Sequence, residues 1–419
     1  MKRIVSIVLF LTGMSVFAAL PKVTSVSYSQ DAHRVVKIVY TLDAAAIITA
    51  DVLIDGVSVG AAALTNMTGD VNCLVTKSSG EILWNIRAAL PGHQDITTDS
   101  VRIALTAWPK DNPPDYLVAD LSSENADVTR YYTGSDAIPG GLMANPVYRE
   151  SKLVLKRVHV SGCPYICGAD GTESKLTDGG SYVTSVTFPN DYYLAVFEFT
   201  QQQRHVLKGE TGTKGWAFIQ GDHPGWKPQT YLDYYSIRES ADGSRNDEYA
   251  YPNPPHSDSW LGLLRTRCGL ALDLPTETQW ELAARAGLPT GYWGNGKLYT
   301  RNAQVDENFD ACYYGTGGRD TGAEECGKFG FNNWGFADLG GNAAEYVLDS
   351  YVDNPTTASG FGSGMPYVDV ENVSCVVKGG SFNDFAYVCH PQCRLSLPKS
   401  NSSTYYYGFR VAAPLSAGL

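Results

Sequence analysis

Three stretches near the start of the chain alternate apolar and polar residues: RVVKIVYTL (Arg34 to Leu42), IITADVLID (Ile47 to Asp55) and DSVRIALTAW (Asp99 to Trp108). A period of two sends successive side chains to opposite faces of an extended chain, so each stretch predicts a strand with one buried face. Turn residues between them predict a small antiparallel β-sandwich over residues 21–121. Nothing in that segment has the residues of a catalytic site, and it reads as a spacer or docking module. From Pro109 to Arg149 the text changes to KDNPPD, SSENAD and AIPGGLMANP. No period survives there, so residues 122–150 read as a linker or an arm laid over the next domain.

Beyond Ser151 one helical pattern stands out, LDLPTETQWELAARAGL (Leu272 to Leu288). Pro275 and Thr276 mark its start, Gln279 lies three after Thr276 as in a capping box, and Gly287 sits where helices end. Leu274, Trp280, Ala283 and Ala284 can share its buried side. Shorter helices are predicted at Thr200 to Leu207 and Ser259 to Cys268. The remainder, rich in Gly, Tyr, Trp and Asn, reads as short strands and long ordered loops. Loops on that scale call for disulfides or bound cations to hold them.

The chain opens MKRIVSIVLFLTGMSVFAAL, where Lys2 and Arg3 precede an apolar run and Val16-Phe17-Ala18 offers small residues at a cleavage position. Residues 1–18 therefore read as a secretory signal peptide. No later run approaches the roughly 20 apolar residues of a membrane helix. The expectation is an exported protein without a transmembrane segment: periplasmic, cell-surface or secreted. Export places nine cysteines in an oxidising compartment and predicts disulfides, with an odd thiol left over. The formal net charge of −12 argues against a nucleic-acid partner, which requires a basic surface. At 419 residues the chain fits two domains.

Near the C-terminus, YVCHPQCRLS (Tyr387 to Ser396) sets Cys389 beside His390 and Cys393 beside Arg394. A neighbouring cation stabilises a thiolate, so the pair reads as reactive thiols, a soft-metal clip, or two halves of structural bonds. Neither this pair nor Cys163 and Cys167 has the C-x2-C spacing of a zinc knuckle.

Five blocks occur in the order found in formylglycine-generating enzymes: YYLAVFEFTQQQ (Tyr192 to Gln203), LPTETQWELAARAG (Leu274 to Gly287), NNWGFADLGGNAAEY (Asn332 to Tyr346), VVKGGSFND (Val376 to Asp384) and YGFRVA (Tyr407 to Ala412). Residues 151–415 thus resemble the sulfatase-modifying-factor family. The resemblance implies an α+β fold, a C-type-lectin-like variant with little regular secondary structure, here preceded by the all-β sandwich of immunoglobulin or fibronectin type. It also implies bound calcium, with Asp338, the carbonyls of Gly341 and Ala343, and Glu345 as ligands. Two carboxylates seven apart around glycines suit an oxygen-rich shell. The alternative is a turn in which Glu345 and Asn342 only hydrogen-bond.

Active members of that family convert a sulfatase cysteine to formylglycine with oxygen and a copper ion held by two cysteines. Counting from Ser381, the first of those positions is Asp384 and the second Cys389; Cys393 falls one residue short of the spacing, and Ala344 replaces the family's tryptophan. Candidate catalytic residues are therefore Cys389, Cys393 and Ser381. Asp384 is a hard donor, unsuited to Cu(I). The chain thus reads as an exported binding or scaffold member with a protein or peptide ligand, a sulfatase among the candidates. The alternative is a copper-dependent oxidase with a rearranged thiol pair. NSSTYYYGFR (Asn401 to Arg410) has the Asn, Ser and Tyr of recognition surfaces, or is a tyrosine-rich packed turn.

Overall fold

The computed structural model describes residues 20–90, 101–123, 129–169, 182–209, 223–300, 304–401 and 405–415. The expected leader at 1–18 lies outside them, as do residues 402–404 of the tyrosine-rich stretch.

The alternating segments form strands. β1 (Val23–Gln30), β2 (Val35–Leu42), β5 (Met67–Gly69) and β7 (Ser79–Asn85) make one antiparallel sheet in the order β1-β2-β7-β5. In the second sheet β3 (Ala46–Ile54) pairs with β8 (Val101–Trp108), and also with β4 (Val57–Ser58) and β6 (Cys73–Val75). Ile38, Tyr40, Ile82 and Trp84 from the first sheet share one apolar core with Ala46, Ile48, Val52 and Ile103 from the second. Alternation along β7 buries Gly80, Ile82 and Trp84 and leaves Ser79, Glu81, Leu83 and Asn85 outside, which is how the sequence period becomes a face.

The boundary between the units falls earlier than the composition suggests. β9 (Tyr116–Asp120) and β10 (Thr129–Tyr132) join β11 (Lys152–Val158), β14 (Tyr192–Ala195) and β19 (Ala412–Pro414) in a five-stranded sheet, β10-β9-β11-β14-β19. The expected linker at 122–150 therefore supplies a strand and a short helix, Val147–Glu150, to the second unit. Turn formers hid this, because β9 and β10 are too short to show a period.

The two units also share a core. Ile47 is buried within the second unit's main cluster, with Leu74 and Trp108 packed against it. Tyr131 donates its backbone N–H to the Asn72 carbonyl at 2.7 Å.

Two further sheets complete the second unit: the hairpin β12 (Pro164–Ala169) with β13 (Tyr182–Thr187), and the order β17-β16-β15-β18. Here β15 (Ala344–Ser350) runs antiparallel to β16 (Ser374–Lys378) and parallel to β18 (Tyr407–Gly408), while β17 (Leu395–Pro398) flanks β16. All three predicted helices form. Thr200 caps Gln201–Lys208, Ser259 caps Trp260–Cys268 and Thr276 caps Glu277–Arg285, with Gln203 and Gln279 closing capping boxes. The last begins five residues later than the apolar pattern, since Pro275 holds Leu274 out of helical geometry. Leu272 and Leu274 are buried all the same.

None of the nine cysteines is in a disulfide. The expected bonds are absent: Cys167, Cys326 and Cys389 are each buried in a different apolar cluster, which keeps them apart, and Cys268 and Cys375 lie in the main core.

Candidate functional site

The glycine block folds as a tight turn between the helix Glu277–Arg285 and β15. Gly341 has φ +75°, and a Cβ there would meet the Cys312 carbonyl oxygen at 2.4 Å, so only glycine fits. Its N–H donates to the Gly379 carbonyl (2.8 Å), which ties it to the second glycine block. Glu345 follows at the start of β15 and is fully buried. Arg410 reaches both of its oxygens, at 2.6 and 2.7 Å, and the Trp280 indole N–H donates to Oε2 at 2.7 Å. The YGFRVA and GGNAAEY blocks are thereby joined by a closed ion pair.

Asp338 stands close enough to Glu345 to feel its charge. Its Oδ2 accepts the Gly327 N–H at 2.6 Å, and its side chain converges on Glu198 and Cys326, with ligand atoms all within 4.8 Å of one another. Glu198 accepts from the Ala343 N–H (2.9 Å), the Asn342 side-chain amide (2.6 Å) and the Cys326 thiol (3.2 Å). Burial, followed by the Asp338 and Glu345 charges, pushes the Glu198 carboxyl well above its usual range. Burial also lifts Asp338, to about 6. Of the expected calcium donors, Asp338 thus turns its carboxylate toward Glu198 and Cys326, while Glu345 pairs with Arg410. A calcium ion takes roughly six to eight oxygens, and Glu345 already accepts from Arg410 and Trp280.

The proposed catalytic residues occupy the loop after β16. Ser381 donates from its backbone N–H and hydroxyl to Asp384 Oδ2 at 2.8 and 2.7 Å, so Asp384 closes a turn. Gly380 has φ +60° and a Cβ there would stand 2.9 Å from Cys389 Sγ. Cys389 and Cys393 are both buried, Cys389 among Trp293, Tyr299, Phe309 and Tyr313. Burial pushes the Cys389 thiol far up, and the nearby Asp384 and Cys393 add to it. Neither cationic neighbour opposes that rise. His390 stacks on Tyr299 at 3.8 Å, and burial lowers its pKa to about 3, so it is neutral. Arg394 forks onto Glu277, 3.0 Å from Oε2. Burial holds Cys389 in its thiol form, and a hard carboxylate stands where the first Cu(I) thiolate would be. These donors do not fit copper.

Beside this loop, rings form two groups, one around Tyr405 and one around Phe385. Phe382 stacks on Tyr405 (5.8 Å), Tyr405 meets Tyr406 (4.4 Å) and the exposed Tyr231 (5.9 Å), and Phe385 bridges Tyr314 and Tyr387.

Residues 149–415 match the model of the sulfatase-modifying factor enzyme 1-like domain. The chain belongs to this family. A formylglycine-generating enzyme of Mycobacterium tuberculosis is 30% identical over 184 residues, 40% of this chain and 57% of that protein. The chain therefore spans little more than half the length of that curated relative. Among solved structures, PvdO from Pseudomonas aeruginosa aligns with a TM-score of 0.47 at 18% identity, over 62% of this chain and 94% of its own. Treponema denticola variable protein 1 gives 0.44 at 18%, over 63% and 95%. Within this sulfatase-modifying-factor domain, sequence reasoning missed Glu198, Cys326 and Arg410 as site residues. Glu198 and Arg410 carried a signal: each is the lone charge in an apolar run, AVFEFT and GFRVA, and such a charge must be paired when buried.

Proposed function

We propose that this chain is a binding member of the sulfatase-modifying-factor family, exported by its leader, and that it does not perform the oxidation. The observation carrying the reading is Asp384: it stands at the first thiol position and its carboxylate is spent on the Ser381 turn, while Cys389 is buried and protonated. The loop that would hold copper instead carries the partly exposed Asn383, Asp384 and Phe385, with the buried Phe382 packed under Tyr405 and Tyr406. Rigid rings with adaptable amides suit a protein or peptide ligand, a sulfatase among the candidates.

The decisive experiment incubates the purified chain with copper, oxygen and a cysteine peptide of sulfatase type, and measures formylglycine by mass. No conversion is expected. Turnover that disappears in both Cys389→Ser and Cys393→Ser would overturn the reading and establish a shortened thiol pair.

A further inference from the structure

The charges around the glycine turn do not balance. Glu198, Asp338 and Glu345 are brought close together, yet Arg410, their near cation, is matched to Glu345 through both of its oxygens. Glu198 and Asp338 share the remaining space with the fully buried Cys326 thiol. Cys326 is placed there by its own backbone, whose N–H donates to the Trp226 carbonyl at 3.0 Å, and Gly327 next to it donates to Asp338. The three side chains thus come from three separate segments and point at one spot.

The spacing suits a small cation. With bonds of about 2.0–2.3 Å, ligand atoms around a tetrahedral zinc ion stand roughly 3.5 Å apart. Cys326 Sγ and Glu198 Oε2 are already 3.2 Å apart, and every pair in the group is within 4.8 Å. Asp338 also lines a cavity of about 80 Å³ with Asn332, Gly340 and Phe309, so water can reach this one ligand.

From these residues we infer a site for a borderline divalent cation of the zinc class, held by Glu198, Cys326 and Asp338 with water completing the shell. Sulfur selects against calcium and magnesium, which want oxygen alone. The exchange balances: the ion enters, the Cys326 proton and any proton held on the two carboxyls leave to solvent, and the three anionic ligands with their ion carry one net negative charge. Three protein ligands with one water is the arrangement that keeps an open position.

The test uses the full chain. Metal analysis after mild purification should find one equivalent of zinc, and replacement by cobalt should give the ultraviolet charge-transfer band of a cobalt–thiolate bond. Cys326→Ser should abolish the band and weaken zinc binding by more than about tenfold, at or above the effect of an outer-shell change. Cys163→Ser, at an exposed thiol, should leave both intact. If Cys326→Ser does not fold, the wild-type cobalt spectrum and Glu198→Gln decide. A wild-type cobalt complex without a thiolate band, zinc affinity unchanged in Glu198→Gln or Cys326→Ser, or calcium binding that excludes zinc would each overturn the assignment.

Discussion

Arg410 clasps Glu345 with two nitrogens, 2.6 and 2.7 Å from the two carboxylate oxygens, and spends its other donors on the carbonyls of Ala195, Val196 and Ala337. One guanidinium thus ties together the strand β14, the glycine turn and the C-terminal block. Removing one partner strands a charge in the core, which costs about 3–5 kcal/mol. Arg410→Ala is expected to lower unfolding free energy by that order in a denaturant titration. A loss below about 1 kcal/mol would show the pair to be solvated.

Thr276 caps the helix Glu277–Arg285 by accepting the Gln279 N–H at 3.2 Å, and Gln279 returns the bond at 2.9 Å. Thr276→Ala should cost about 0.5–2 kcal/mol. Thr276→Ser, which keeps the acceptor, should recover most of it in the same thermal melt.

Asp349 supplies a pH dependence. It is buried, and burial with the Glu277 charge raises its pKa to about 7 from 3.8. Between those values the folded protein holds a proton that the unfolded chain has released. Stability contributed by this group therefore falls as pH rises from about 4 to 7 and levels above. Asp349→Asn should flatten that part of the stability profile. An unchanged slope would assign it to other groups.

Thiol labelling should follow burial. Cys163 is exposed and Cys73 half-buried, while the other seven are buried. An alkylating reagent should modify Cys163 first and Cys73 next in the native protein, and all nine only after denaturation. Fewer than nine without a reductant would reveal bonds that this fold does not contain.

Much of the architecture was legible because period and cap are local signals. The strands at Val35, Ala46 and Val101 and the helix caps at Thr200, Ser259 and Thr276 were all readable, each set by a few consecutive residues. What local signals do not carry is partnership across the chain. Glu198 and Cys326 are separated by 128 positions, and nothing beside either one names the other. The same holds for Arg394, whose charge beside Cys393 suggested an activated thiol until Glu277, 117 positions away, proved to be its partner. Tyr116 fell on the wrong side of a boundary because its strand pairs with β11, across a stretch of turn formers.

Ile47, a residue of the first sandwich, is buried in the core of the second unit, and Asn72 and Tyr131 are bonded across the same seam. A tether attached near Val23 would therefore transmit its orientation to the aromatic group around Tyr405 with little swivel. Whatever direction the first sandwich is held in, the rings are aimed along with it instead of on a loose leash.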